Sequence, residues 1–288
     1  MAGFTHRLGE ALGNAVDRKL NREIRKGILP EHVACIMDGN RRHAFQKLIP
    51  VALGHKLGKE KLEDVMDWIL EFEIKYLTVY ALSTENLYNR SEEELEELFE
   101  LYISGLEELI VDKRIHENKV KISVIGKREL LPNKVIESIN KAEKGTENYE
   151  DYVFTICLAY GSREEIVQAI REIASLHASG ELSLEQIDEK EVSNRLYTKD
   201  VPDPDLIIRT SGEERISNFL LWQSAYSEFI FVDTYWPSFS KREFLRALQT
   251  YQTRTRRFGE RLGNSSSSSS IRNLEVIPSR TPIGNNEC

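Results

Sequence analysis

Val33-Ala-Cys-Ile-Met37 is an unbroken apolar run that ends on Asp38-Gly-Asn-Arg-Arg42. Apolar residues with no polar alternation predict a strand buried on both faces, as in a parallel sheet. Further short apolar runs at 76–82, 120–125, 152–158, 206–208 and 229–232 repeat the pattern. Between them the spacing predicts helices over 55–72, 91–114, 133–145, 162–178, 188–197, 217–226 and 240–258. Strands alternating with helices specify an α/β fold, a single domain around a central, mostly parallel sheet of about six strands flanked by helices. In such sheets ligands sit beyond the carboxyl ends of the strands, so the segments following each strand carry the functional reading.

The chain has 288 residues, enough for one large domain or two small ones. No Pro/Gly-rich linker divides it, and one domain over 30–262 is expected. Residues 1–29 carry six Lys/Arg against three acids, with Leu8, Leu12, Val16, Leu20 and Ile24 at helical spacing. They predict a basic amphipathic helix, packed on the domain edge or resting on a membrane surface. Residues 263–288 open with a serine run, Ser265 to Ser270, and their composition predicts no packed structure. A net charge of −8 argues against a nucleic-acid partner, whose phosphates call for a basic surface. No apolar run reaches the ~18 residues of a membrane span, and the polar start does not read as a signal peptide. Cys35, Cys157 and Cys288 are odd in number and far apart, which predicts a reducing, cytoplasmic setting without a zinc or disulfide framework.

Three strand ends carry unusual chemistry. After the first strand, Gly39 permits a close turn, while Asn40, Arg41 and Arg42 supply donors suited to phosphate oxygens. Asp38 beside them makes sense if Mg2+ joins it to those phosphates. The same residues also fit a polar turn with a surface Asp–Arg pair, and both readings stand on this stretch alone. After the strand at 206–208 comes Arg209-Thr-Ser-Gly-Glu-Glu-Arg215-Ile-Ser217-Asn218. Here a helix expected near Ser217 would offer free N–H groups to an anion, or Ser217 would simply cap it. After the strand at 76–82, Ser83-Thr-Glu-Asn86 leads through Arg90 into an acidic helix. Ser91 and Glu94 have the spacing of a capping box, and Ser162-Arg-Glu-Glu165 also reads as helix capping. His55 follows the arginine pair by thirteen residues and could reach the same phosphate. No nucleophile–base order, Walker loop or dinucleotide glycine fingerprint is present. Two arginine-rich strand ends and one carboxylate point to diphosphate ligands, with magnesium fitting the carboxylate.

At His32-Val-Ala-Cys-Ile-Met-Asp-Gly-Asn-Arg-Arg42, Gly54-His55, Ser83-Thr-Glu-Asn86, the block from Arg209 to Gln223, and Glu228 through Trp236-Pro237, the chain resembles the cis-prenyltransferases. These are the undecaprenyl and dehydrodolichyl diphosphate synthases, and the resemblance runs over roughly residues 30–260. It implies a homodimeric α/β transferase with an apolar tunnel that joins isopentenyl diphosphate to an allylic prenyl diphosphate. By that resemblance Asp38 handles Mg2+, and Gly39, Asn40, Arg41, Arg42 and His55 cradle the allylic diphosphate. Arg209, Arg215 and Ser217 hold isopentenyl diphosphate, and Glu228 matches a second acidic, metal-linked position. Ser83, Asn86, Arg90 and Glu94 correspond to the loop that closes over the substrates, with Asn86 among the catalytic positions. Release of an apolar product also implies peripheral contact with membrane, where the basic N-terminal helix would help.

The chain departs from the family's pattern at several points. His43 replaces the usual aromatic residue after the arginine, Val51 stands where many members have an arginine, and Ser238 replaces the acid after Trp-Pro. The loop after Asn86 is one residue longer, and Ala159-Tyr-Gly-Ser162 replaces Asn-Tyr-Gly-Gly. Alternation along 152–158 puts Tyr152, Phe154, Ile156 and Leu158 on one face. Tyr152 falls where longer-product members carry a smaller residue, which predicts a short- to medium-chain product. Two other readings are a changed acceptor such as an alcohol, and a non-catalytic partner subunit. The retained Asp38, Arg42, Arg209 and Arg215 speak against the second.

Overall fold

A computed structural model describes residues 19–254. Six strands are present: β1 (His32–Ile36), β2 (Tyr76–Tyr80), β3 (Val120–Ile125), β4 (Tyr152–Cys157), β5 (Leu206–Arg209) and β6 (Glu228–Phe231). They form one sheet in the order β3-β4-β2-β1-β5-β6, and every pairing is parallel. β1 is buried along its whole length, as its unbroken apolar run requires. Alternation sends Val33 and Cys35 into the larger apolar layer with Val65, Trp68 and Phe154. Ala34 and Ile36 enter a second layer with Tyr80, Tyr160 and Phe219 on the other face.

The helices are α1 (Asn40–Lys47), α2 (Val51–Glu71), α3 (Thr84–Asn89), α4 (Glu92–Val111), α5 (Lys113–Glu117), α6 (Asn133–Gly145), α7 (Ser162–Ala178), α8 (Glu189–Ser193) and α9 (Lys241–Thr253). Pro50 precedes α2 with φ −56°, a value its ring imposes and a helix start tolerates. Ser240 and Glu243 close a full capping box at α9. Residues 19–24 are helical, and Ile24 is buried in the main core. Asn21 Nδ2 donates to Glu71 Oε1 at 2.7 Å, so this end of the expected basic helix packs on the domain edge. The remainder of that helix and the serine-rich segment lie outside the described residues.

Three local expectations are corrected. Asn40–Lys47 is a helix rather than a polar turn; it buries only His43 and Ala44, too few to give a period. Residues 217–226 are not helical. Ser217, Asn218 and Leu220 have φ of 49°, 62° and 46°, left-handed values that an α-helix cannot contain. Ser162 and Glu165 do not cap α7. Ser162 Oγ accepts from the Leu221 N–H at 2.9 Å, and the buried Glu165 carboxylate accepts from Tyr160 Oη, Tyr197 N and Gln223 Nε2.

Candidate active site

Parallel register brings the chemistry together. Ile36 at the end of β1 lies beside Arg209 at the end of β5, so the segments that follow these strands emerge side by side. Gly39, with φ 108°, turns the chain directly into α1. A Cβ there would meet the Tyr235 ring at 2.8 Å and would have to adopt a left-handed backbone, so only glycine fits. The turn is held by its carbonyl: Asp38 O accepts from Thr210 Oγ1 at 2.7 Å and from the Trp236 N–H at 3.0 Å.

The Asp38 carboxylate is shared by two arginines. Arg209 Nη2 donates to Oδ2 at 2.7 Å, and Arg42 Nη2 donates to Oδ1 at 2.9 Å. Burial alone would raise its pKa, but these two bonds outweigh that and hold it below the usual carboxylate range. Arg209 is only 3% exposed. Its Nη1 donates to Ser217 Oγ at 2.8 Å and to the Arg215 carbonyl. The donors at this end are therefore side chains, and the helix N-terminus expected near Ser217 is not there. Arg42 also donates to Glu213 Oε1 and Ser211 Oγ, each at 2.7 Å, and its guanidinium lies over the Tyr235 ring. Glu213 pairs in turn with Arg215, so one carboxylate bridges the two arginine groups.

A second cluster stands at the same mouth. Glu94 Oε1 accepts from Arg90 Nη1 at 3.0 Å and lies 3.4 Å from His55 Nε2, while Oε2 is 3.7 Å from Arg41 Nη1. The expected capping box is thus half formed. Ser91 Oγ accepts the Glu94 N–H at 3.3 Å, but the Glu94 carboxylate turns to the cations instead of back to Ser91. Ser83 caps α3 by accepting the Asn86 N–H at 3.0 Å. Burial, reinforced by Arg90, pushes the His55 imidazole down to about 4.

Below both clusters a cavity of about 890 Å³ runs between α2, α4 and the sheet. Asp38, Gly39, Asn40, Arg41, Arg42, His55, Ser83, Asn86, Arg90, Arg209, Arg215 and Ser217 line its polar end. Leu62, Met66, Leu98, Leu106, Phe154, Ile156 and Leu158 line the apolar part. Tyr152 does not reach it. That ring lines a separate cavity of about 20 Å³, which shares Met66 and Phe154 with the large one. Met66 and Phe154, which line both cavities, therefore stand between Tyr152 and the large one.

Glu228 is not brought to this cluster. It opens β6 beside Leu206, whereas Arg209 lies beside Phe231 at the other end of the strand pair. Its carboxylate accepts from Arg254 Nη1 at 2.8 Å. Among the described residues no group of three or more His, Cys, Asp or Glu is placed to hold a metal ion by itself. Thr210, Trp236, Tyr235 and Glu213 went unassigned in the sequence reading. Glu213, flanked by arginines, and Trp236, in the Trp-Pro pair, are the signals visible among them.

Residues 36–259 match a family model described as "Putative undecaprenyl diphosphate synthase". The tritrans,polycis-undecaprenyl-diphosphate synthase (geranylgeranyl-diphosphate specific) of Pyrococcus horikoshii is 49% identical over 243 residues, 84% of this chain and 92% of that protein. Its namesake from Thermoplasma volcanium is 48% identical over 257 residues, 89% of this chain and 99% of that one. The crystal structure of lavandulyl diphosphate synthase from Lavandula x intermedia, in complex with dimethylallyl diphosphate, superposes with a TM-score of 0.76 at 36% identity, covering 81% of this chain and 99% of that one.

Proposed function

The chain belongs to the undecaprenyl diphosphate synthase family of cis-prenyltransferases, and we propose that the cationic mouth of its cavity holds the diphosphates of the two substrates which that family joins. It is a polyprenyl diphosphate synthase, condensing isopentenyl diphosphate with an allylic prenyl diphosphate. A carbon–carbon bond forms, the allylic C–O bond breaks with its electron pair leaving on diphosphate, and a proton lost from the isopentenyl unit leaves a new cis double bond. Negative charge develops on the leaving diphosphate, so fixed donors aimed at it supply most of the catalysis.

In our reading the allylic diphosphate takes the Gly39 turn, Asn40, Arg41, Arg42 and His55, with its chain in the apolar cavity. Isopentenyl diphosphate takes Arg209, Arg215 and Ser217. Ser83, Asn86, Arg90 and Glu94 form the closing loop, with Asn86 directed at the reacting units. Asp38 suits Mg2+ as a hard oxygen donor, and with no protein-only cage around it the remaining ligands would be diphosphate oxygens. Bound there, Mg2+ would neutralise charge on the departing group.

The names of the relatives support geranylgeranyl diphosphate as primer and undecaprenyl diphosphate as product. We also propose a homodimer, for which the sheet edge at β6 with its stacked Phe229 and Phe231 is the supporting feature. No helix among the described residues is long and apolar enough to cross a membrane. Peripheral membrane contact remains part of the proposal. The observation that carries the reading is the Asp38 carboxylate held between Arg42 and Arg209 at the mouth of an apolar cavity. Purified protein with Mg2+, labelled isopentenyl diphosphate and a panel of allylic primers tests it by product chromatography. Elongation of geranylgeranyl diphosphate is expected; no turnover with any allylic primer would overturn the reading.

A further inference from the structure

Leu48 ends α1 with φ 55° and ψ 41°, the left-handed region where glycine is the usual occupant and a leucine is strained. Its side chain is 93% exposed, so no packing within the chain offsets that strain. Phe45 on α1 is 61% exposed and Leu53 on α2 is 41% exposed. One helix–loop–helix corner thus presents three large apolar side chains to solvent, together with the exposed Pro50. Phe45 also lines the large cavity, which places the corner at its mouth.

Cations crowd the corner; Arg41, Arg42 and Lys59 pair with acids from outside residues 40–59, and Lys47 and Lys56 stand exposed beside the apolar side chains. From residue 40 to residue 59 the chain carries Arg41, Arg42, Lys47, Lys56 and Lys59 and no acid, although its net charge is −8. Arg41, Lys47 and Lys56 are exposed. The exposed acids Glu92, Glu93, Glu96, Glu97 and Glu100 lie on α4, beyond the cluster of Glu94 with Arg41 and His55. An apolar wedge among cations is what the headgroup layer of an anionic bilayer accepts. A protein groove would take the apolar residues but would give no reason for twenty residues without an acid.

We propose that the corner between α1 and α2 docks on an anionic lipid surface, with Leu48 as the inserting residue and α4 turned away. The cavity mouth would then face the phase into which an apolar product partitions. That rationale rests on the proposed reaction. The docking itself needs no turnover, so vesicle binding and product formation can fail independently.

The test uses the full chain and vesicles of phosphatidylcholine alone or mixed with phosphatidylglycerol. Flotation is expected with the anionic vesicles and is expected to weaken with salt. Leu48→Gly removes the apolar side chain and the strain together. It should bind the anionic vesicles about threefold or more weakly, with an unchanged or higher melting temperature. A role confined to the fold would not produce that pair of results. To separate this corner from the N-terminal segment, Leu48→Cys is labelled with an environment-sensitive fluorophore in a Cys288→Ser background. Cys35 and Cys157 are buried, which keeps them from the label. A blue shift on adding anionic vesicles is expected. An unshifted label on protein that floats, or equal flotation with neutral vesicles, would overturn the proposal.

Discussion

Ser238 Oγ lies 3.2 Å from Nδ1 of the buried His43, so two of the positions at which the chain departs from its family's pattern are each other's partners. An aromatic residue and an acid have been replaced together by an imidazole and a hydroxyl. The pair ties α1 to the segment that follows Trp236, whose N–H holds the Asp38 carbonyl. A double-mutant cycle with His43→Ala and Ser238→Ala should give a coupling of about 0.5–1.5 kcal/mol in urea unfolding. Additive losses would mean that the contact stabilises nothing.

Asp38→Asn keeps the shape of the side chain but removes the charge that faces Arg209. Because Arg209 is almost wholly buried, stability should fall by about 1–3 kcal/mol, read from the urea midpoint. Turnover with Mg2+ should fall by about a hundredfold or more. Unchanged turnover would remove Asp38 from the mechanism.

Phe154, with Met66, lines both the large cavity and the small one that Tyr152 lines. Phe154→Ala should therefore join the two and shift the product distribution toward longer chains. Tyr152→Ala alone should lengthen them less, since that ring stands behind Phe154. Chromatography of the products separates the outcomes, and a larger effect at Tyr152 would contradict the geometry.

His32 is buried, with Nδ1 2.6 Å from Pro202 O and Nε2 2.8 Å from Thr78 Oγ1, and burial pushes its pKa down to about 4. In the unfolded chain it titrates near 6.5. Between those values the unfolded state takes up a proton that the folded state refuses, so stability falls as pH falls. The slope should approach about 1.4 kcal/mol per pH unit for this residue. His55 and the depressed Asp38 contribute with the same sign. His32→Gln should flatten urea stability between pH 6.5 and 4; an unaltered slope would mean the ring is protonated in the fold.

The strands were legible because a sheet buried on both faces writes itself as apolar runs, and β1 through β6 fall where those runs are. α1 was not legible, since a helix that buries only His43 and Ala44 leaves no periodic stripe. Nor was the turn at Ser217 to Leu220. Its partners lie on other elements: Arg209 donates to the Arg215 carbonyl and Ser217 Oγ, and Asn218 donates to Glu85 and Glu164. The arginines and Asp38 could be named from the sequence by type and motif. That Thr210 and Trp236 hold the Asp38 carbonyl depends on strand order, which pattern alone does not give. Glu228 illustrates the converse: a motif position was visible, but its place at the start of β6 was not.

Asp38 and Arg209 are 171 residues apart in the chain. A nascent polypeptide can lay β1 against β2 early, yet the cluster around Asp38 and Arg209 exists only once β5 docks on the free side of β1. Synthesis proceeds at about 5–20 residues per second, so the two halves of the site are separated by on the order of ten seconds or more. During that interval the Asp38 carboxylate has no Arg209, and the Trp236 that steadies its turn has not yet been made. The Asp38 turn is therefore made early and completed late, when β5 and the Trp236 segment arrive.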